Sequence, residues 1–432
     1  MPVVTDPPVF GMGDEPTAAP TWPSPTEDEI ARAVAATWGG PEPAEIEWRS
    51  ARPLSSTVGV RLSDGARVVV KRLPLRLRDQ AALAEEHRFM AHLRNAGIPV
   101  PEVWSAVGNW ATPSGPTREP AEHARDADDS SPDTEAPGAA ARAPEAASLR
   151  WRATTVLPQG MAGYAAAQGG AAAADRVSDG FVYEVHGMGL GEDRYRADFS
   201  WTPYRDPGDA TAAGMMLARL HLAATGFEAP VRPARPLVAS LHCDSVVGAF
   251  EWHIAHRPAV ARFLADREWR AEIPDLRVDL TVVAPLWTHG DWHPTNLLWE
   301  SDEVTSVFDF GLANRTTAVF DLATAIERAA VDWVSLRDGG SAHVREDQVR
   351  ALIQGYRSVR PLSRAEQTLL ADLLPLVHIG YELSEIDYFL TVAAQPRNAE
   401  IAYQDWLLGH LSWFRTPAGH ELRALVRDVA AE

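Results

Sequence analysis

The sequence predicts an α+β fold with a small strand-rich front and a larger, mainly helical back. Three observations predict it. β-Branched runs with a tight turn crowd residues 45–73 and recur at 180–186, helical periodicity dominates from 207 onward, and one hairpin interrupts the helical part at 288–311. At 432 residues the chain is long enough for two ordinary domains without disulfide or metal staples.

Residues 1–25 are rich in proline and small residues and are expected to be a disordered tail. A front unit is expected over 26–186. Thr26 and Glu29 form a T-x-x-E capping box, and Ile30, Val34 and Trp38 follow at helical spacing up to Gly39-Gly40. The runs IEWRS, TVGVRL and ARVVVKRL read as strands, with Ser63-Asp64-Gly65 as the turn of a hairpin and Lys71 at the end of its second strand. A helix is predicted over 78–94 through Leu83, Phe89, Met90 and Leu93, stopping at Asn95-Ala96-Gly97. Residues 111–148 hold hardly any large apolar side chain and an excess of acids, and are expected to be a disordered acidic insertion. Structure resumes near 149 and returns as a strand at 180–186. A back unit over 187–432 opens on a helix at 207–223, whose apolar positions are Ala213, Met216, Leu217 and Leu220.

Composition narrows the function. The formal net charge of −19 and the pI near 5.2 repel a phosphate backbone, which argues against nucleic acid as a partner and favours the approach of a cationic ligand. Cys243 is the single cysteine, so no internal disulfide can form and a cysteine-based zinc cage is excluded. No apolar run reaches the roughly 20 residues needed to span a bilayer, and the first residues lack a signal-like apolar core, so a cytoplasmic location is expected. Of 40 lysines and arginines, 39 are arginine and one is Lys71. A compact ammonium and a flat guanidinium fork are not interchangeable in a tight site, which marks Lys71 before any motif is sought.

The densest chemical signal is THGDWHPTNLLWESDEVTSVFDFG, residues 288–311. Asp291 precedes Asn296 by five positions, and the following hairpin returns Asp309 beside the loop that holds Asn296. Magnesium takes hard oxygen ligands, often one or two from protein, and Asn296 with Asp309 suits that role. Asp291 is then free to accept or orient the proton of a second substrate's hydroxyl. His289 is read as a brace for the loop. His293 is read as structural, since no third nitrogen or sulfur ligand supports zinc.

His289-Gly290-Asp291 with Asn296, followed by Asp309-Phe310-Gly311, resembles the catalytic and metal loops of the aminoglycoside phosphotransferase and choline kinase-like family, within the two-lobed protein kinase-like fold. Asp321-Leu322-Ala323, opening a helix after the metal loop, resembles another element of that family. The resemblance covers most of 50–330, broken by the insertion. It implies a nucleotide-binding N-lobe and a helical C-lobe, ATP (with GTP as the alternative) and Mg2+, Lys71 on the phosphates, Asn296 and Asp309 on the metal, and Asp291 as catalytic carboxylate. It implies as well that a glutamate of the helix after Lys71 pairs with it. Glu86 is preferred to Glu85 because Glu86, Met90 and Leu93 keep the spacing i, i+4, i+7.

One departure is the absence of a glycine-rich loop: RPLSSTVGV stands in its place, where Ser55, Ser56 and Thr57 can offer donors to phosphate oxygens. The hinge that reads the adenine edge is placed near Tyr183–His186, with Tyr183 and Val185 as contacts. For the acceptor, the stretch PLVHIGYELSEIDYFL carries an apolar stripe, Ile379, Leu383, Ile386 and Leu390, and a second face of Tyr381, Glu382, Glu385 and Tyr388. Aromatics with carboxylates suit an ammonium ligand, a solvated helix face being the plain alternative. Trp292 is a further candidate for the acceptor pocket. The expected function is transfer of the terminal phosphoryl group of ATP to a hydroxyl of a small acceptor, aminoglycoside-like or an amino alcohol or sugar metabolite. The alternatives are a noncatalytic nucleotide-binding protein and a protein kinase, the latter disfavoured because no activation segment ending in A-P-E follows Asp309-Phe310-Gly311.

Overall fold

The computed structural model describes residues 4–5, 22, 24–38, 41–50, 56–104, 155–156, 180–196, 198, 200–238, 243–337 and 342–432. The front of the chain builds one seven-stranded sheet from β1 (Val4–Thr5), β2 (Pro43–Arg49), β3 (Ser56–Leu62), β4 (Arg67–Pro74), β5 (Val103–Trp104), β6 (Thr155–Val156) and β7 (Phe181–Gly187). Their order is β1-β2-β3-β4-β7-β5, with β6 also on β7. β1 runs parallel to β2 and every other pairing is antiparallel.

Each front element follows from local chemistry. Helix α1 (Glu27–Trp38) starts at the reciprocal box in which Glu29 N donates to Thr26 Oγ1 (3.2 Å) and Thr26 N donates to Glu29 Oε2 (2.7 Å), a cap worth about 1 kcal/mol. Between β3 and β4 the Asp64 carboxylate accepts from Ala66 N at 2.9 Å. Helix α2 (Gln80–Asn95) begins two residues later than expected because Asp79 is the N-cap, its side chain accepting from Ala82 N. Within the segment expected to be a disordered tail, β1 pairs with Trp48 and Arg49. Trp22 is buried too, its indole donating to Tyr388 Oη (3.2 Å) and meeting Phe181 edge-on. The insertion expected over 111–148 lies outside the described residues.

The back of the chain is helical: α3 (Pro207–Ala223), α4 (Val246–His256), α5 (Ala318–Ala330), α6 (Glu346–Val359), α7 (Arg364–Thr391) and α8 (Pro417–Ala431), with shorter turns between them. The predicted hairpin is present as β9 (Leu297–Glu300) and β10 (Glu303–Val307). A second antiparallel pair, β8 (Pro285–Thr288) with β11 (Asn314–Thr317), encloses it and was not anticipated, since each strand is four residues long and PLWT and NRTT show no alternation.

Helices α3 and α6 touch backbone to backbone. A Cβ on Gly214 would stand 2.1 Å from Leu352 O, and one on Gly355 would stand 2.3 Å from Thr211 O. Only glycine permits that approach. It brings His221 of α3 and Tyr356 of α6 into hydrogen-bond contact beneath the loop between β8 and β9. Helix α7 runs through the core, and both faces that the sequence distinguishes are buried: Ile379, Leu383 and Ile386, and equally Glu382, Glu385 and Tyr388. Among the described residues no helix is long and apolar enough to cross a membrane.

Candidate active site

The loop between β8 and β9 is held from below. Asp321, the third-from-last link of a buried chain, accepts from His289 N (3.1 Å), Gly290 N (2.9 Å) and His221 Nε2 (3.0 Å). His221 Nδ1 in turn accepts from Tyr356 Oη at 2.7 Å. Gly290 sits at φ +77°, and a Cβ there would meet Leu312 O at 2.5 Å, so the turn that presents Asp291 requires glycine. His289 Nδ1 accepts from Asp291 N (3.2 Å), which puts its proton on Nε2, donating to Phe308 O (3.0 Å). The expected brace is therefore what its bonds describe.

Asp291 is half enclosed by cations and donors. Its Oδ1 is 2.6 Å from an Arg328 guanidinium nitrogen, and its Oδ2 is 3.2 Å from Asn296 Nδ2 and 3.4 Å from His293 Nε2. Burial acts to raise the carboxyl, but Arg328 and then His293 outweigh it and hold it well below the usual carboxylate range. Arg328 was missed by the sequence reading. It lies seven residues after Asp321, two turns along α5 and so on the same helical face. Its guanidinium lies 3.9 Å over the Trp201 ring and 5.1 Å from the Tyr381 ring centre.

Asn296 uses Nδ2 on Asp291 O (3.0 Å), which fixes its amide orientation and leaves Oδ1 as the outward acceptor. Asp309 adopts a left-handed conformation (φ 60°, ψ 68°) at the end of β10, and its Oδ1 accepts from Lys71 Nζ at 3.0 Å. The loops are tied together by Phe308 N donating to Asn296 O. A carboxylate and an amide oxygen, both lining one cleft, are the hard donor set a magnesium ion takes, so the residues present fit that metal.

Lys71 corrects one expectation. Glu86 does not pair with it: Glu86 Oε1 takes Arg78 Nε (2.8 Å) and an Arg232 guanidinium nitrogen (2.6 Å). Guanidinium groups this close, both buried, hold the carboxylate on their own side of α2. Lys71 instead meets Asp309 and, at 3.9 Å, Glu184 Oε1. Glu184 is itself bonded to His87 Nε2 (2.9 Å). Burial would raise the Glu184 carboxyl, yet His186, His87 and Lys71 hold it well below the usual range. Glu85 lies 3.8 Å from Arg232.

Between sheet and helices runs a cleft of about 380 Å3, of the size a nucleotide fills, lined among others by Val69, Lys71, His186, Met188, Leu298 and Asp309. It narrows to a cavity of about 90 Å3 where Lys71, Asp309, Asp291, Leu312 and Tyr381 converge. Strand alternation decides which of the expected nucleotide contacts reach it. Glu184 and His186 face the cleft, whereas Tyr183 and Val185 turn into the core, Tyr183 donating to Glu29 Oε1 at 2.8 Å. The Val185 backbone is committed to Val70 and Trp104 in the sheet. The lining continues instead through Gly187, Met188 and Gly189. Ser56 is buried on the far face of β3 and its neighbour Thr57 lines the cleft with Ser50, while Ser55 lies outside the described residues.

The acceptor expectations are corrected in part. Tyr381 lines the 90 Å3 cavity and donates to Glu385 Oε1 at 3.2 Å. Glu382 and Glu385 are fully buried, and burial pushes both carboxyls well above their usual range, which disfavours the ionised form. Tyr388 is buried against Trp22, and Trp292 packs edge-on to His289 in the core. Neither lines the cavity. An open groove of about 730 Å3 bounded by Cys243, Asp244, Arg277 and Asp279 shares no lining residue with the cleft.

Known proteins resemble this chain at two levels. The homoserine kinase of Methylobacillus glycogenes is 29% identical over 185 residues, 42% of this chain and 52% of that protein. That of Methylobacillus flagellatus is 28% identical over 210 residues, 47% of this chain and 60% of that protein. The chain thus spans between half and two thirds of the length of these curated relatives. The solved structure of a microcompartment-associated aminopropanol kinase covers 87% of this chain and 91% of its own at 14% identity and a TM-score of 0.46, values too low to bear on activity. The sequence profile of the phosphotransferase enzyme family (APH) matches residues 47–112 and 134–362, more than half of the chain. The chain belongs to the phosphotransferase enzyme family.

Proposed function

We propose that the protein is an ATP-dependent kinase of a small molecule, transferring the terminal phosphoryl group to an acceptor hydroxyl. The observation that carries the reading is the convergence of Lys71, Asp291 and Asp309 on one 90 Å3 cavity, with Asn296 beside it in the adjoining cleft. In this reading the cleft takes the nucleotide, with its base against Gly187–Gly189, Val69 and Leu298 and its phosphates towards Lys71. Asn296 and Asp309 hold Mg2+, which when bound neutralises charge on the phosphate oxygens. Asp291 orients the acceptor hydroxyl. Because Arg328 keeps it strongly acidic, Asp291 is a poor base in the ground state and acts chiefly by positioning and by accepting the proton late. Positioning and charge neutralisation suffice where the transition state is loose.

The homoserine kinases among the relatives support a small hydroxylated amine as acceptor class, and a cytoplasmic enzyme without nucleic-acid or membrane partner is the setting proposed. The test is Mg2+-dependent nucleotide turnover across amino alcohols, hydroxy amino acids including homoserine, sugars and aminoglycosides, with Asp291→Ala alongside. Turnover stimulated by one acceptor class and abolished by the substitution, with nucleotide binding retained, is the expected result. Near-normal turnover in Asp291→Ala removes Asp291 from its role. Nucleotide binding without transfer to any acceptor favours the noncatalytic alternative.

A further inference from the structure

Lys71 and Glu184 stand directly opposite one another on neighbouring antiparallel strands, in the ladder where Val70 faces Val185 and Arg72 faces Tyr183. Directly opposed side chains emerge on the same face of a sheet, here the face that lines the cleft. Glu184 is buried and fixed: its Oε2 is 2.9 Å from His87 Nε2 and its Oε1 is 3.3 Å from His186 Nε2. Glu86 sits in a different network. The two arginines that share its Oε1 both donate to Gly311 O, at 2.6 Å from Arg78 and 2.9 Å from Arg232, and Arg78 also donates to Leu237 O. That set joins α2 to the loop just after Asp309.

We propose that Glu184, and not Glu86, is the carboxylate that positions Lys71 against the nucleotide phosphates, while Glu86 is the centre of an arginine clasp that fixes the loop carrying Asp309. The proposal deepens the kinase reading and rests on it. Asp309, the nearer partner of Lys71, is the residue assigned to the metal, so its carboxylate is shared when substrate is bound. Glu184 carries no second assignment. A strand-borne partner has a further consequence: sheet register sets the pair's backbone positions, and α2 contributes only His87, which orients the Glu184 carboxylate. Glu184 is thus a positioning residue acting through Lys71.

Lys71 is the single lysine of the chain, so the full-length protein labelled with 13C-lysine gives one ε-methylene resonance that reports on this site alone. The expected result for Glu184→Gln is a displaced resonance in the nucleotide-free protein and binding of Mg2+ with AMP-PNP weakened about 10-fold, the scale of a lost charge-assisted contact. Glu86→Gln is expected to lower the melting temperature and to displace the Lys71 resonance by less than Glu184→Gln does, through the loop of Asp309 alone. Should Glu184→Gln fail to fold, His87→Gln loosens the same carboxylate from behind and is expected to displace the resonance in the same direction by less. The proposal is overturned if Glu184→Gln leaves both resonance and affinity unchanged, or if Glu86→Gln displaces the resonance as far. Failure of the unaltered protein to bind nucleotide would sink the kinase reading instead, and the nucleotide-free resonance would still test the pair.

Discussion

Two histidines away from the active site should each withdraw stability from this protein as the pH is lowered. His410 is stacked between Trp333 (ring centres 3.7 Å apart) and His378 (4.0 Å), and its Nδ1 donates to Glu327 Oε1 at 2.7 Å. Burial holds His378 down to about 4, and burial with the neighbouring His378 holds His410 down to about 3, against 6.5 for the free side chain. In both, the folded protein keeps the imidazole neutral while the unfolded chain takes up a proton. Stability is therefore complete above pH 6.5 and is lost as pH falls from there towards the folded values. At pH 5 each group costs about 2 kcal/mol relative to pH 7.5, about 4 kcal/mol for the two together, a large part of a typical domain's stability. Urea denaturation at pH 7.5 and 5.0 measures the loss. His410→Asn keeps a donor for Glu327 but cannot be protonated, so it should remove about half of it. Every other titrating group is common to both proteins. The raised carboxyls of Glu382 and Glu385 act in the opposite sense over this range in both proteins, so the difference between them carries the test: a variant that loses as much as the parent would refute the reasoning.

Other perturbations read the site itself. Lys71→Arg should lower kcat/KM for nucleotide at least about 10-fold, because the planar fork cannot occupy the point-charge position between Asp309 and Glu184; steady-state kinetics decides it. Arg328→Gln removes the cation 2.6 Å from Asp291 and should cost about 3 kcal/mol of stability and lower kcat more than KM, seen by denaturation and by varying both substrates. Gly290→Ala should cost about 1–3 kcal/mol from its left-handed backbone alone, with the contact on Leu312 O adding to it, and thermal melting reads the loss.

What the sequence made legible is what short-range chemistry controls. The Thr26–Glu29 box, the hairpin that carries Asp309 back beside Asn296 and the cap-to-glycine span of α2 each depend on a few neighbouring residues, and each is found. The spacing from Asp291 through Asn296 to Asp309 is legible for the same reason. Contacts set by packing were not. Which side Tyr183 faces depends on the alternation phase of β7, and FVYEVHG carries an apolar residue on each phase, Val182 standing with Glu184 and His186. Glu86 keeps the helical spacing of a lysine partner, but Arg78 and Arg232 approach it from a turn and from a segment 146 residues away. Arg328 carries no motif, and only its phase on α5 relative to Asp321 betrays it.

The burial of α7 changes what the acceptor pocket can ask of its ligand. An acidic, aromatic face was expected to receive a cation, and a cation is indeed there: it is Arg328, over Trp201 and beside Tyr381, supplied by the chain itself. Glu382 and Glu385 are fully buried and do not line the cavity, so neither carboxyl is presented to a ligand there. The groups left to meet an acceptor beside Asp291 are the Tyr381 side chain and the apolar walls of Leu237 and Leu312, around a cavity of about 90 Å3. A space of that size selects by shape before charge. Should the acceptor hydroxyl bind there, a compact alcohol is expected to be phosphorylated in preference to a multi-ring cation, and turnover across the acceptor panel measures it; the reverse order would refute the assignment of this cavity to the acceptor.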